Sequence, residues 1–512
     1  MIPEGQDMTA QEEKIGYKGL LERQTTGLSK LPLGDSVSPI TVVGNEAIVS
    51  GFEENCIQQA VNSRLAPGVS NVVLNPDAHL GYGAPVGCVI SSPTHIYPGP
   101  VGVDIKCSMS LLQTNVETEA IQDRRVRREL IKAVCQRIPT GAGRGSRHVE
   151  KGRSIDERLG RELVVNGASK NVLRKLGIPN SWAQRCEDAY HRGFDGTTHS
   201  LEARFEKLMR NEKMQRRFPV QARQLGSYGG GNHFGECEAV ELSQDPELRE
   251  IGERFGLRGN RVAFLSHCGS RGFGHTLASY QFKTLKDQFK KSGRAFPGGD
   301  SDLVYAEVGS QEANDYLCDM ALGANFATVN HMLINQLVLE AFQQVLPGTQ
   351  GELVYFISHN IARQEVSSAG VAEWVHRKGA TRAMPAGHPE LERTPFQETG
   401  HPILLPGNPR DGSVVMVAEK GASQSAFSVN HGAGRAMSRR GAKRKLQQTQ
   451  VDQDLDAHDV MSNCRFYPLD EAPAAYKDFG EVLASVEQAG LAKQVARLKA
   501  RFVIKDGSDP DD

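Results

Sequence analysis

Residues 429–444, VNHGAGRAMSRRGAKR, set one imidazole, His431, against a glycine-rich turn and then against Arg435, Arg439, Arg440, Lys443 and Arg444. Glycines let backbone N–H groups approach an anion closely, arginines grip its oxygens, and a neutral imidazole beside them can attack phosphorus. The pattern is that of a phosphoryl-handling site. Taken alone, a Gly-Ala-Gly turn before a basic helix start is more often a solvated turn with charged flanks. What sets this one apart is its company.

Asp104 and Cys107 lie three residues apart at the end of a strand-like segment, and His233, His267 and His359 each stand at a strand-to-loop junction beside glycine or asparagine. One carboxylate, one thiol and three imidazoles make a donor set for divalent metal, because a thiolate can bridge two ions while the other groups complete each shell. Two ions fit that count. Singly, each has a blander reading: a lone cysteine is usually a small buried hydrophobe and a lone histidine a satisfied core residue. Zinc, cobalt and manganese all suit a thiolate among imidazoles, and spacing does not choose among them.

The elements that must position these residues alternate between strand and helix. Residues 1–40 read as a flexible leader. A compact segment starts at Ile40 with TVV, a Gly-Asn turn and AIVSGF, expected as two short strands, and continues with a helix over residues 53–61. NVVL reads as a buried strand entering a glycine-studded loop, NPDAHLGYGAPVGCVI. Residues 117–223 have another texture, helical in period and rich in Arg and Lys, which predicts a basic helical insertion. Glycine-rich loops return in LGSYGGGNHFGE and FLSHCGSRGFGH, then a long helix over 312–345, strand-like ELVYFISHN, the basic turn RKGATRAMPAG, and strand-like PILLPG and VVMVAEK. No repeat of 20 to 50 residues is present. The alternation predicts an α+β (mixed α/β) core with chemistry on its loops.

Composition narrows the functional classes. With 512 residues, 39% apolar and 24% charged, the chain has the make-up of a globular protein, and its formal charge of -1 gives no global basic excess. Nucleic acid would have to be held by local patches. Nine cysteines without CxxC spacing fit reduced thiols, and no apolar run approaches the ~20 residues needed to span a bilayer, so the expectation is a cytoplasmic protein without a membrane partner.

Nine ordered segments carry a resemblance: NPDAHLGYGAPVGCVI, GVDIKCSM, GGGNHFGE, SHCGSRGFGH, NFATVNH, SHNIARQE, RKGATRAMPAG, HGAGRAMSR and DEAPAAYKDF. From about residue 40 to Lys505 the chain resembles the RtcB family of RNA ligases. The resemblance implies one large catalytic domain over residues 41–512, with a central β core, surrounding helices and the insertion. It implies an enzyme using GTP and two Mn²⁺ ions to join RNA 3′-phosphate or 2′,3′-cyclic phosphate ends to 5′-hydroxyl ends, with His431 carrying GMP. Asp104, Cys107, His233, His267 and His359 are implied as metal ligands, Cys107 as the bridge. Asn232, Glu236, Ser413, Ala433, Gly434, Arg435, Tyr476 and Lys505 are implied at the nucleotide, and Arg271, Lys378 and Arg439 at RNA phosphates. An archease-like activator is a further implied partner.

Two segments depart from the family pattern. DIKCS puts Lys106 and Ser108 beside Cys107 where small or neutral residues are usual, so Lys106 is expected to bias thiolate formation or touch the triphosphate. PGNPRDGS carries Asn408 and Arg410 where a serine and a glycine are usual. These departures suggest a divergent branch serving RNA repair rather than routine tRNA splicing. Two other classes use the same residues: a metal-dependent phosphoesterase acting on RNA ends, and an RNA-binding repair component without ligation.

Overall fold

The chain passes from an N-terminal strand meander through a helical segment to a second, larger sheet. A computed structural model describes residues 12–141 and 155–507. The chain enters through α1 (Glu12–Gly19), β1 (Glu22–Thr25), β2 (Leu28–Leu31) and β3 (Ile40–Val43), then α2 (Glu46–Ser50), α3 (Glu54–Arg64), β4 (Asn71–His79), β5 (Val86–Ser92) and β6 (His95–Ile96). β7 (Ser108–Glu117) leads into α4 (Arg124–Arg137), α5 (Glu157–Asn166), α6 (Lys170–Leu176), α7 (Thr198–Met209) and α8 (Glu212–Ala222). Next come β8 (Phe234–Leu242), α9 (Pro246–Phe255), β9 (Arg261–Cys268), α10 (Arg271–Ser292), β10 (Ala306–Glu307) and α11 (Gln311–Val345). The remainder holds β11 (Gly351–Ser358), β12 (Asn360–Val366), β13 (Ala372–Lys378), β14 (Ala380–Arg382), β15 (Pro402–Asn408), β16 (Gly412–Ala418) and β17 (Ser428–Asn430). It closes with α12 (Arg439–Lys445), α13 (Gln448–Ala457), β18 (Met461–Ser462), α14 (Phe479–Gln488) and β19 (Ala492–Lys505).

Two large sheets result. One runs β1-β2-β3-β4-β5-β13-β12; the other runs β11-β7-β9-β8-β19-β16-β15, with β18 alongside β19. A single residue, His359, separates β11 at the edge of the second sheet from β12 at the edge of the first. The fold is therefore α+β, two mixed sheets with surrounding helices.

α11 is the pillar behind the second sheet. Its centre is buried on every side, and its polar residues there are spent on neighbouring loops rather than on solvent. His331 bridges Ser110 Oγ (2.9 Å) and the Cys268 carbonyl (2.9 Å), while Asn330 accepts from Gly226 N (2.7 Å) and donates to the Gly269 carbonyl (3.2 Å). Thus one helix fixes the backbone that follows His267. No helix among the described residues is long and apolar enough to cross a membrane.

Three local expectations change. Residues 12–40, read as part of a flexible leader, contain α1 and two strands that extend the first sheet; β2 pairs along all of β3 and buries Leu28 and Leu31. Residues 1–11 lie outside the described residues. AIVSGF is not a strand: the Asn45 side chain accepts from Ile48 N at 3.0 Å and starts α2, so the Gly-Asn pair acts as a helix cap instead of a hairpin turn. The basic turn RKGATR is buried strand, where Glu365 takes both guanidinium nitrogens of Arg377 at 2.6 and 2.8 Å and Glu187 pairs with Arg382 at 2.6 Å. Ion pairing supplies the compensation that buried charge requires.

Candidate active site and metal centre

The donor residues meet at one end of the second sheet because the register brings them there. Cys107 and His233 immediately precede β7 and β8, His267 is the penultimate residue of β9, and Met109 and Phe234 both pair with His267 across the ladders. His359 follows β11, whose last residue pairs with Ser108. Cys107 Sγ lies 3.3 Å from His233 Nε2 and 3.2 Å from His267 Nε2; His267 Nε2 lies 3.2 Å from His359 Nε2, and Asp104 Oδ2 lies 2.8 Å from His233 Nε2.

The chemistry of this cluster suits a cation. Burial, together with neighbouring imidazoles, holds His267 and His359 far below the usual histidine range, so both rings are neutral and can offer lone pairs. His267 Nδ1 lies 3.1 Å from the Asn232 carbonyl, an acceptor only, so Nδ1 carries the hydrogen and Nε2 faces the cluster free. Burial raises the Asp104 carboxyl, but His233, Cys107 and Arg271 together bring it below its ordinary value. Burial and Asp104 push the Cys107 thiol well up, a preference that bound cations reverse. Two buried ring atoms, His233 Nδ1 and His359 Nδ1, have no hydrogen-bond partner. Among the described residues, Cys107, His233 and His267 form a group whose donor atoms all lie within 4.8 Å of one another. The residues present therefore fit a metal centre.

His431 stands beside this cluster at the seam between the sheets. It follows β17, and its ring centroid is 4.6 Å from that of His359. Its Nδ1 is 2.8 Å from Asp77 Oδ2 and 2.9 Å from the Gly379 carbonyl. Both partners are acceptors, so Nδ1 carries a hydrogen, and in the neutral ring the lone pair is on Nε2. Asp77 also accepts from His431 N at 3.3 Å. Two glycines make this approach possible. At Gly434 (φ +74) a Cβ would stand 2.5 Å from the Asp77 carbonyl oxygen, and at Gly379 (φ +66) it would stand 3.0 Å from His431 Cε1 and 2.9 Å from Gly87 N.

A cavity of about 340 Å³ joins the two groups. Asp104, Cys107, Asn232, His267, His359, Lys378, His431, Ala433, Gly434, Arg435, Arg439 and Tyr476 all line it. Glu236, Ser413, Tyr476 and Lys505 line a smaller adjoining recess of about 30 Å³. Glu471 organises that recess. Lys505 Nζ (3.1 Å) and the Tyr476 hydroxyl (2.6 Å) meet one of its oxygens, and Arg435 (3.2 Å) and Arg439 (3.3 Å) meet the other. Burial opposes ionisation of Glu471, yet Lys505, Arg439 and Arg435 outweigh it and hold the carboxyl down at about 2.

Three of the sequence-predicted cations are engaged elsewhere. Arg271 is buried and donates to Ser227 Oγ (3.1 Å) and the Gly141 carbonyl (2.9 Å), away from the cavity lining. Lys378 lines the cavity but spends its ammonium on the Tyr82 and Ala84 carbonyls at 2.5 and 3.0 Å, and burial lowers it to about 8. Lys106, expected near the thiolate or triphosphate, turns the other way: its ammonium donates to the Asp188 carbonyl (2.9 Å) and Thr328 Oγ1 (2.8 Å) and meets His191 Nε2 (2.8 Å). It ties the metal loop to the helical segment. The altered PGNPRDGS loop closes on itself, with Asn408 Oδ1 accepting from the backbone of Arg410 and Asp411 at 3.1 Å each while Arg410 pairs with Asp411.

The family model described as tRNA-splicing ligase RtcB matches residues 59–506. The chain belongs to the RtcB family. Curated relatives bearing that description include one from Archaeoglobus fulgidus, 34% identical over 89% of this chain and 92% of its own length. Another, from Thermococcus kodakarensis, is 32% identical over 88% and 91%, and one from Nanoarchaeum equitans is 33% identical over 91% and 95%. Within this RtcB-family site, sequence reading passed over Asp77 and Glu471. Asp77 sits in NPDAHLGYG and Glu471 in DEAPAAYKDF, two of the segments that carried the resemblance. Their signal was only the presence of an acid in a motif, which does not say which group the acid faces.

Proposed function

We propose that this RtcB-family chain is an RNA ligase that joins a 3′-phosphate end, or a 2′,3′-cyclic phosphate end after opening, to a 5′-hydroxyl end through a GMP–His431 intermediate. The observation that carries the reading is the double acceptor at His431 Nδ1, which holds a hydrogen on Nδ1 and makes Nε2 the nucleophilic nitrogen of the neutral ring. Nε2 attacks the α-phosphorus of GTP, a P–N bond forms, and pyrophosphate leaves with the electrons of the broken P–O bond. Asp77 stabilises the positive charge that develops on the imidazole during attack. The RNA 3′-phosphate then takes the GMP from His431, and the 5′-hydroxyl displaces GMP from the activated end.

Asp104, Cys107, His233, His267 and His359 would hold two manganese ions. When bound, such ions would offset the charge of triphosphate and RNA phosphate and polarise the phosphoryl oxygens. Ala433, Gly434 and Arg435 would face the nucleotide phosphates. Asn232, Glu236, Ser413, Tyr476 and Lys505 would seat the base, with Glu471 positioning the last two. Arg439 is the exposed cation best placed for an RNA phosphate. Lys378 would hold the cavity wall, and Arg271 would sit behind the metal centre. Cytoplasmic RNA repair and an archease-like activator belong to the same proposal.

The test is incubation of the full chain with α-labelled GTP and Mn²⁺. An acid-labile label on protein, absent in His431→Ala, is expected. No label on the wild type would abandon ligation in favour of a phosphoesterase or a binding protein.

A further inference from the structure

The nucleotide cavity opens into a second groove of about 790 Å³, and the two share His79, Tyr82, Arg435 and Arg439. At the point where they meet, Tyr82 is 79% exposed, with Leu80 also exposed two residues earlier. The ring stands in solvent on a backbone held by hydrogen bonds from both flanks. Gln59 Nε2 donates to the Gly81 carbonyl (2.7 Å) and Gly81 N returns a bond to Gln59 Oε1 (3.0 Å). On the other side, Lys378 takes the carbonyls of Tyr82 and Ala84. The loop is clamped from both flanks while its ring projects free.

The groove carries charges of both signs. Arg435, Arg439, Arg440 and Lys477 line it together with Glu53, Asp478 and Glu481, and Tyr82 lines both it and the cavity that holds His431. Three of its cations, Arg435, Arg439 and Arg440, come from one short stretch of chain and give a polyanion a basic track. A 340 Å³ cavity is nucleotide-sized, so a nucleic acid strand that reaches His431 needs another entry, and this groove is continuous with it.

We propose that Tyr82 is a stacking platform for the terminal base of a single-stranded RNA end, whose phosphates run along Arg439 and Arg440. Stacking is sequence-tolerant because every base has a π-face, so the site takes any terminal base. The proposal rests on the ligase reading given above, and it extends that reading to how the substrate end is held.

The experiment uses six-nucleotide single-stranded RNAs with 2-aminopurine as the terminal base, one with a 3′-phosphate end and one with the base at a 5′-hydroxyl end. Full-length wild type, Tyr82→Ala, Tyr82→Phe and Tyr82→Trp are titrated against each. Tyr82→Ala is expected to weaken binding of at least one RNA by roughly 10- to 100-fold and remove the 2-aminopurine quenching, while Phe and Trp retain both. Equal affinity for Ala and Phe variants on both RNAs would overturn the proposal. Labelling of wild-type His431 by GTP is followed in parallel; its absence would strike the ligase reading, whereas the Ala-against-Phe comparison judges the stacking platform alone.

Discussion

Replacing Asp77 by Asn tests whether the buried carboxylate sets the reactivity of His431. The carboxylate is fully buried and 2.8 Å from Nδ1, so the bond it makes is charge-assisted. Such a bond contributes about 1.5–3 kcal/mol, and the loss of a counter-charge as the ring becomes cationic adds about 1–2 kcal/mol after screening. The Gly379 carbonyl at 2.9 Å survives the change and continues to favour the reactive tautomer, which limits the damage. A net loss of about 3–4 kcal/mol slows GMP transfer to His431 by roughly 100- to 1000-fold. Single-turnover labelling with α-labelled GTP at saturating Mn²⁺ measures that step directly, with calorimetric melting to confirm that the variant folds. A folded Asp77→Asn protein that labels within threefold of wild type would refute the reasoning.

Cys107→Ala removes the donor common to His233 and His267, and manganese affinity followed by electron paramagnetic resonance is expected to fall by about 100-fold or more. Lys505→Met leaves Glu471 paired with the arginines but strips the recess of its ammonium; the GTP concentration needed for half-maximal labelling should rise about tenfold or more, and no rise would show that the recess does not seat the base. Glu236 and Glu238 lie on one face of β8, and burial raises Glu236 to about 7 and Glu238 well above its ordinary value, the latter with Glu236 as a like-charged neighbour. A carboxyl raised in the folded state contributes stability that is present below about 4.5, its unfolded value, and lost as pH climbs through the folded one. Glu238→Gln should therefore gain on wild type between pH 5 and pH 8, opening a gap in melting temperature of about 2 °C or more in calorimetry; a gap that stays constant with pH would count against the pair.

Long periodic or strongly apolar segments were legible: α11 was expected over 312–345 and spans Gln311–Val345, and the strand expected from ELVYFISHN is β11. Short segments that mix turn and cap chemistry were not. Gly44-Asn45 can open a hairpin or cap a helix, and the choice depends on Ser485, whose hydroxyl accepts from Asn45 N at 2.9 Å across 440 residues. The basic residues of RKGATR looked solvent-facing because their carboxylate partners, Glu187 and Glu365, are remote in sequence. The same blindness hid Asp77 and Glu471. The types of the candidate metal donors could be picked out, but their convergence follows from the strand order β11-β7-β9-β8, which periodicity does not encode.

His359 separates an edge strand of one large sheet from an edge strand of the other, while Asp77 comes from β4 and His431 follows β17, which pairs with β14 in a small sheet of its own. Residues 77, 107, 233, 267, 359, 431 and 505 thus come together only when both sheets are complete, so the centre depends on long-range contacts of the fold. Metal that binds only the assembled centre then draws the whole chain toward its folded state by mass action. In a cell, supply of that metal would govern how many copies survive as well as how fast each one turns over.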